Sequence, residues 1–84
     1  MNFGRAVEEA ERGDRIQRMG WNGEGMFVFY ISNWDFTTRV PGMLGVTIEP
    51  FLCMKTATGT VIPWLASQAD MLAKDWQIIQ GEPT

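Results

Sequence analysis

The stretch PWLASQADMLAKDW, residues 63–76, places two tryptophans around the polar residues Ser67, Gln68 and Asp70. Indole rings beside fixed polar groups can bind a flat, polar ligand, and they can equally pack in the core of a small protein. Asp70 follows Ser67 by three positions, so the pair also fits a capping box at a helix start. A carboxylate at the positive end of the helix dipole disfavours phosphate there, and a ribose hydroxyl or a base amino group suits Asp70 better.

A second candidate segment, RMGWNGEGM, begins at Arg18. Its glycines permit close backbone approach, and Asn22-Gly23 is a strong signal for a type I′ turn. The segment matches neither the dinucleotide-binding nor the P-loop glycine pattern, so a plain hairpin turn is a sufficient interpretation of the glycines. Trp21 is left unexplained by the turn. Trp21 and Trp64 either pack in the core or stack on a base, which is worth ~1–3 kcal/mol, and Arg18 offers a planar charged fork for phosphate.

Composition excludes most familiar catalytic arrangements. The chain has no histidine and one cysteine, Cys53, so Ser-His-Asp and Cys-His sites, an internal disulfide and a Cys-rich metal site are excluded. Cys53 lies among strand-forming residues, where a free cysteine usually behaves as a small buried hydrophobe. We expect no catalytic residue, metal or cofactor. The alternative that stays open is a nucleotide hydrolase that uses Asp70 or Asp75 as a base, assisted by Mg²⁺.

The charge balance argues against nucleic acid as a partner. Seven basic residues against ten acidic ones give a net charge of −3, and no basic run could neutralise several phosphates of a long nucleic acid. No apolar run approaches the roughly 20 residues that span a bilayer, and the N-terminus lacks the basic and apolar regions of a signal peptide. We therefore expect a cytosolic protein that binds neither duplex DNA nor a membrane.

Hydrophobic spacing predicts the elements that must position these residues. Residues Asn2–Arg12 predict a half-buried helix whose Glu8, Glu9 and Glu11 face outward. RIQRMGW and MFVFYI predict two strands, FLCMKT and TVIPW a hairpin around ATGT, and WQII a last strand after a helix that begins near Ser67. The predicted fold class is α+β, a small antiparallel sheet with two short helices in the order α-β-β-loop-β-β-α-β.

Size and composition add predictions about organisation. The chain of 84 residues is predicted to form one domain, 1–84, with an ordered variable loop over 32–50 and a loose tail over 81–84. Its apolar content of 45%, with four tryptophans, is high for a chain of this size. We therefore expect that another subunit covers part of the apolar surface and that the protein is a homo-oligomer. Helical spacing also places one apolar face on the second helix, with its last member in the core. That face comprises Leu65, Ala69, Leu72 and Trp76.

Two motifs together resemble those of a known family. W-N-G-x-G-M begins at Trp21, P-W-x-x-S-Q-x-D-x-x-A-x-D-W begins at Pro63, and the similarity extends over residues 2–79. The family consists of small phage and prophage proteins and includes the second type of Thoeris anti-defence protein. The resemblance implies a sponge that holds, without cleaving it, a cyclic ADP-ribose isomer of the glycocyclic kind or, in some members, a cyclic dinucleotide. It also implies homotetramers with pockets at subunit contacts, acting in the cytoplasm of the bacterial host.

The same resemblance implies binding roles for the residues that match the motifs. The tryptophans would form stacking walls, the asparagine and glycine would bring backbone donors close, and the arginine would contact phosphate. The serine, glutamine and aspartate would contact ribose or base edges, and either threonine would add a hydroxyl. Ligand choice would lie in the loop 32–50. The implied ligand-binding set is Arg18, Trp21, Asn22, Gly23, Thr56, Thr58, Trp64, Ser67, Gln68 and Asp70.

A function of a different class fits the same residues. A phage structural or adaptor protein would use its aromatic surface to bind another protein. That hypothesis predicts no stabilisation by a small molecule and an apolar patch outside the homo-oligomer contact.

Overall fold

A computed structural model describes residues 1–21, 24–33 and 40–80 and shows two helices and five strands in these ranges. The helices are α1 (Phe3–Glu11) and α2 (Gln68–Leu72). The strands are β1 (Ile16–Arg18), β2 (Phe27–Ile31), β3 (Phe51–Lys55), β4 (Val61–Pro63) and β5 (Trp76–Ile78). The strands form one sheet in the order β4-β3-β2-β1-β5, and every pairing is antiparallel. The α+β class, a small antiparallel sheet with two short helices, is confirmed, while details of its elements differ from the prediction.

Helix α1 lies close on the sheet because its inward residues are small. Ala6 and Ala10 are fully buried, and the helix packs on β1, β2 and β5. The side chain of the N-cap asparagine accepts a hydrogen bond from the first turn and starts the helix. The prediction that Glu9 faces outward is wrong: Glu9 is buried because its carboxylate forms ion pairs with Arg5 and Arg12.

The core lies between α1 and one face of the sheet. Trp76 is 2% exposed, so its predicted place in the core is confirmed. Its predicted place on a helical face is wrong, because Trp76 begins β5 and α2 ends at Leu72. The next residue, Ala73, has an extended backbone that terminates the helix after five residues. Leu65 and Leu72, the other large members of that predicted face, are 91% and 74% exposed.

The opposite face of the sheet carries no helix in the described ranges. Side chains alternate along a strand, so Phe27 and Phe29 point away from the buried Val28 and towards this second face. We call it the helix-free face. No helix in residues 1–21, 24–33 or 40–80 has the length and apolar character needed to cross a membrane.

The structure describes one of the two predicted hairpin turns in full. At the ATGT turn, the N–H of Thr56 donates to the carbonyl of Thr60 at 2.8 Å, and Gly59 has a φ of 91°. The predicted hairpin there is confirmed. Asn22 and Gly23, predicted both to form a turn and to bind ligand, lie outside the described residues, as does the predicted tail 81–84.

Candidate ligand-binding site

Arg18 lies at the end of β1, in register with Trp76 of β5. Its guanidinium bridges two carboxylates: Nε donates to Oδ1 of Asp75 at 3.0 Å, and Nη1 donates to Oδ1 of Asp70 at 3.1 Å. The second oxygen of Asp75 accepts a hydrogen bond from the N–H of Gly20 at 3.2 Å. The arginine expected to contact phosphate is thus the cation of a three-residue ion-pair centre formed with Asp70 and Asp75.

Asp70 and Ser67 form the predicted capping box at the start of α2. Oγ of Ser67 accepts from the N–H of Asp70 at 3.0 Å, and Oδ2 of Asp70 accepts from the N–H of Ser67 at 3.2 Å. Nε1 of Trp76 donates to the backbone carbonyl of Asp70 at 2.9 Å. Gln68, the first residue of α2, is exposed. The capping box, the ion pair with Arg18 and the hydrogen bond from Trp76 together stabilise α2, which at five residues is too short to be stable alone.

These contacts shift the ionisation of three groups. Hydrogen bonds to Asp75 and then to Asp70 raise the pKa of Arg18 above its ordinary value, and the hydrogen bond from Arg18 lowers the pKa of Asp75. Burial by itself would raise the pKa of Asp70, but hydrogen bonds from Ser67 and Arg18 outweigh it, and the pKa is lowered. Both carboxylates are ionised at neutral pH and are poor proton acceptors, which disfavours the hydrolase hypothesis.

An aromatic cluster of Phe3, Trp21, Trp64 and Trp76 lies beside the ion-pair centre. Trp76 is its buried floor, with ring centroids 5.4 Å from Trp21 and 5.9 Å from Trp64. The rings of Trp21 and Trp64 are 6.5 Å apart and inclined by 71°, so they touch edge-on and leave no slot for a base between them. Both tryptophans are half-buried. A base would therefore stack on the outward face of one ring.

Thr56 and Thr58 lie apart from the aromatic cluster. With Thr60 they form a group of hydroxyls at the β3–β4 turn, where Oγ1 of Thr56 lies 3.1 Å from Oγ1 of Thr58 and 2.7 Å from Oγ1 of Thr60. Strand β4 begins after this turn, and Trp64 follows the other end of the strand. The length of β4 therefore separates these hydroxyls from Trp64.

Asp75 belongs to this site, although its sequence context suggested only a general base. Its one local signal is its place directly before Trp76 in the second motif. Its pairing with Arg18 depends on the β1–β5 register, which matches Arg18 with Trp76 and could not be obtained from local spacing. No group of three or more Asp, Glu or Cys within the described ranges is placed to hold a metal ion.

Comparison with known proteins agrees with the motifs that form this surface. A family model described as the Thoeris anti-defense 2-like domain matches residues 1–79. The chain is also 37% identical over 84 residues to Thoeris anti-defense 2 of Bacillus phage SP01, and the alignment covers 94% of this chain and 94% of the relative. The resemblance drawn from the two motifs is confirmed: this chain belongs to the Thoeris anti-defense 2-like family.

Proposed function

We propose that this chain is a phage anti-defence sponge, which binds a cyclic nucleotide immune signal and sequesters it without cleaving it. Family membership supports a phage Thoeris anti-defence role. The proposed signals are cyclic ADP-ribose isomers of the glycocyclic kind, with cyclic dinucleotides as a second class. Binding would occur in the cytoplasm of the infected or lysogenic host and would block Thoeris-type immunity by keeping the signal from its effector.

The observation that supports this binding mode best is the convergence of two distant segments, residues 18–21 and 64–76, on one surface. Arg18 contacts Asp70, Trp21 contacts Trp64, and Trp76 touches both tryptophans and donates a hydrogen bond to Asp70. Half-exposed indole faces are suited to a base, and fixed polar groups beside them are suited to its sugar. This arrangement supports binding of a flat, polar ligand.

The charge of the ion-pair centre indicates which part of a nucleotide it would contact. One guanidinium and two carboxylates carry a net charge of −1, so ribose hydroxyls and base amino groups are favoured over phosphate at this edge. Arg18 still has N–H groups besides the two that contact Asp70 and Asp75. The proposed phosphate contact would use those donors, and the negative charges of Asp70 and Asp75 would oppose it.

A homo-oligomer, with a tetramer as the expected state, is part of the proposal. Three large apolar side chains next to the site in sequence are mostly exposed: Met19 at 69%, Leu65 at 91% and Leu72 at 74%. A second subunit that covered them would bury apolar surface and narrow the open side of the aromatic cluster. The same residues favour the alternative of an adaptor that binds a different protein.

The first experiment is a thermal denaturation of the purified protein against a panel of cyclic ADP-ribose isomers and cyclic dinucleotides, with the ligand recovered afterwards by chromatography. A ligand at 100 times its Kd adds about 2.7 kcal/mol of apparent stability, several degrees for a domain of this size. A shift with intact ligand recovered would support the sponge. Cleavage of more than one ligand per protein molecule would instead support the hydrolase hypothesis and reject the sponge.

A pair of matched variants tests where the ligand binds. Trp21→Leu keeps an apolar side chain but removes the stacking surface, and binding should weaken by ~1–3 kcal/mol. Phe29→Leu removes an aromatic ring from the helix-free face and serves as the control. Equal loss in both variants would reject the aromatic cluster as the site. No shift with any ligand, together with a stable hetero-complex, would favour the adaptor.

A further inference from the structure

Asp75 accepts hydrogen bonds from three consecutive residues of the segment that leads to Trp21. Its side-chain Oδ1 accepts from Nε of Arg18 at 3.0 Å, and its Oδ2 accepts from the N–H of Gly20 at 3.2 Å. Its backbone carbonyl accepts from the N–H of Met19 at 3.0 Å. One residue therefore holds the path of the chain from the end of β1 to Trp21.

The segment that Asp75 holds is a tight turn. The N–H of Trp21 donates to the carbonyl of Arg18 at 3.3 Å, so Met19 and Gly20 are the two central residues of the turn. This hydrogen bond is longer than the usual range of about 2.7–3.2 Å and fixes the turn weakly by itself. Gly20 lets the carboxylate come close, because a Cβ there would lie 3.3 Å from Oδ2 of Asp75.

The turn determines where Trp21 lies relative to the polar edge of the proposed site. The indole of Trp21 contacts Trp64 and Trp76, and Arg18 at the other end of the turn contacts Asp70. A ligand that stacks on the indole and meets the ion-pair centre with its sugar needs both groups at a fixed separation. Groups that are ordered before binding increase affinity, because the ligand does not have to order them.

The two aspartates of the ion-pair centre differ in what their side chains hold. Asp70 caps α2 and pairs with Arg18, and its side chain is 14% exposed. The side chain of Asp75 is 35% exposed and bonds to both ends of the same short segment, through Arg18 and Gly20. Without the carboxylate of Asp75, Arg18 would keep its ion pair with Asp70, whereas the turn would lose the bond to Gly20.

We propose that Asp75 is a positioning residue of the ligand site, which holds the turn over residues 18–21 so that Trp21 presents its ring beside the Arg18–Asp70 pair. This inference rests on the proposed function, because it assigns Asp75 a role at the same site. Asp75 acts through Trp21 and Arg18 and not by taking a proton from the ligand. Its charge is used to accept hydrogen bonds from the chain.

The test is Asp75→Asn, measured by NMR in the full chain without ligand. The substitution converts one carboxylate oxygen into an amide donor that faces another donor, so the hydrogen bond from Arg18 or the one from Gly20 is lost. The indole N–H signal of Trp21, assigned by its absence in Trp21→Leu, should move. Asp14→Asn removes the same charge before the start of β1 and should leave that signal in place.

Binding of the glycocyclic ADP-ribose isomers provides the second measurement. Asp75→Asn should weaken binding by about tenfold, because the ligand must then order the turn and the indole. Asp14→Asn should leave the affinity unchanged. A merely structural role would lower the free energy of unfolding of Asp75→Asn without moving the Trp21 signal in the folded protein.

Several results would overturn the inference. An unmoved Trp21 signal in folded Asp75→Asn would reject the positioning role, and equal affinities of the wild-type chain and Asp75→Asn would reject its effect on binding. If the wild-type chain binds none of these isomers, the proposed function fails, whereas the Trp21 signal still decides whether Asp75 holds the turn. If Asp75→Asn does not fold by circular dichroism, Gly20→Ala replaces it, because the added Cβ would displace the carboxylate and should move the same signal.

Discussion

Arg18 and Asp70 are 52 positions apart in the chain, and Nη1 of the arginine meets Oδ1 of the aspartate at 3.1 Å. Asp75 contacts the same guanidinium at 3.0 Å. Because two carboxylates share one cation, removing Arg18 leaves two negative charges facing each other, whereas removing either aspartate leaves an intact ion pair. The ion-pair centre joins β1, α2 and the segment before β5, and it forms the polar edge of the proposed ligand surface.

Arg18→Gln is therefore expected to lower the free energy of unfolding more than Arg5→Gln does. Arg5 also pairs with a carboxylate, that of Glu9, but Glu9 keeps Arg12 as a second cation. Urea denaturation followed by tryptophan fluorescence would compare the two variants under one condition. Equal losses would show that the ion-pair centre contributes no more than the Arg5–Glu9 pair of α1.

The lowered pKa values of Asp70 and Asp75 predict a loss of stability in acid. Their ordinary value is 3.8, and their folded values lie below it. Above pH 3.8 the stabilisation is fully present, because the carboxylates are ionised in both states. As the pH falls below 3.8, the unfolded chain takes up protons first, and the stabilisation is lost as the pH falls through the folded values.

Urea midpoints measured from pH 7 down to pH 2.5 would test this pH dependence. Other carboxylates titrate in the same range, so the informative quantity is the difference between the wild-type chain and Arg18→Gln. The variant should lose less stability in acid, because protonation relieves its repulsion between Asp70 and Asp75. An equal loss of stability in acid in both proteins would contradict the conclusion that Arg18 lowers the pKa values of Asp70 and Asp75.

Local patterns predicted those features that local interactions decide. The periodicity of α1 gave its extent to within one residue at each end, and the Ser67–Asp70 spacing gave a capping box whose two hydrogen bonds are both present. The ATGT segment gave its hairpin because Gly59 supplies the positive φ that the turn requires. Each of these features needs only residues that are neighbours in the chain.

Features set by strand register and tertiary packing could not be obtained in this way. Helical spacing extended α2 to Trp76, whereas packing of the indole in the core and its hydrogen bond to Asp70 require the chain to leave the helix after Leu72. The outward prediction for Glu9 failed because periodicity does not show two arginines that neutralise a buried carboxylate.

Gly25 offers a test of how Lys55 is positioned, because Nζ of Lys55 donates a hydrogen bond to the carbonyl of Gly25 at 2.9 Å. Its φ is 76°, and a Cβ added there would lie 3.1 Å from Nζ of Lys55, whereas Gly59, with φ 91°, has no atom within 4 Å of such a Cβ. Gly25→Ala and Gly59→Ala should each destabilise the fold by about 1 kcal/mol through backbone strain. Only Gly25→Ala should also displace the ammonium of Lys55, which side-chain NMR of the lysine would detect as a changed signal. A changed Lys55 signal in both variants would contradict this assignment.

Cys53 should be nearly inert to thiol reagents in the folded protein. Its side chain is 1% exposed on β3, between Phe29 of β2 and Pro63 of β4, and burial raises the pKa of its thiol above the ordinary value of 9.0. The reactive thiolate is therefore both scarce and inaccessible. Labelling with a disulfide reagent should be slower by at least roughly a hundredfold than labelling of the exposed reference thiol in a Ser32→Cys variant, since opening the core of a domain costs about 5 kcal/mol. Urea should abolish the difference. Rapid labelling of Cys53 without urea would show that β3 opens without global unfolding.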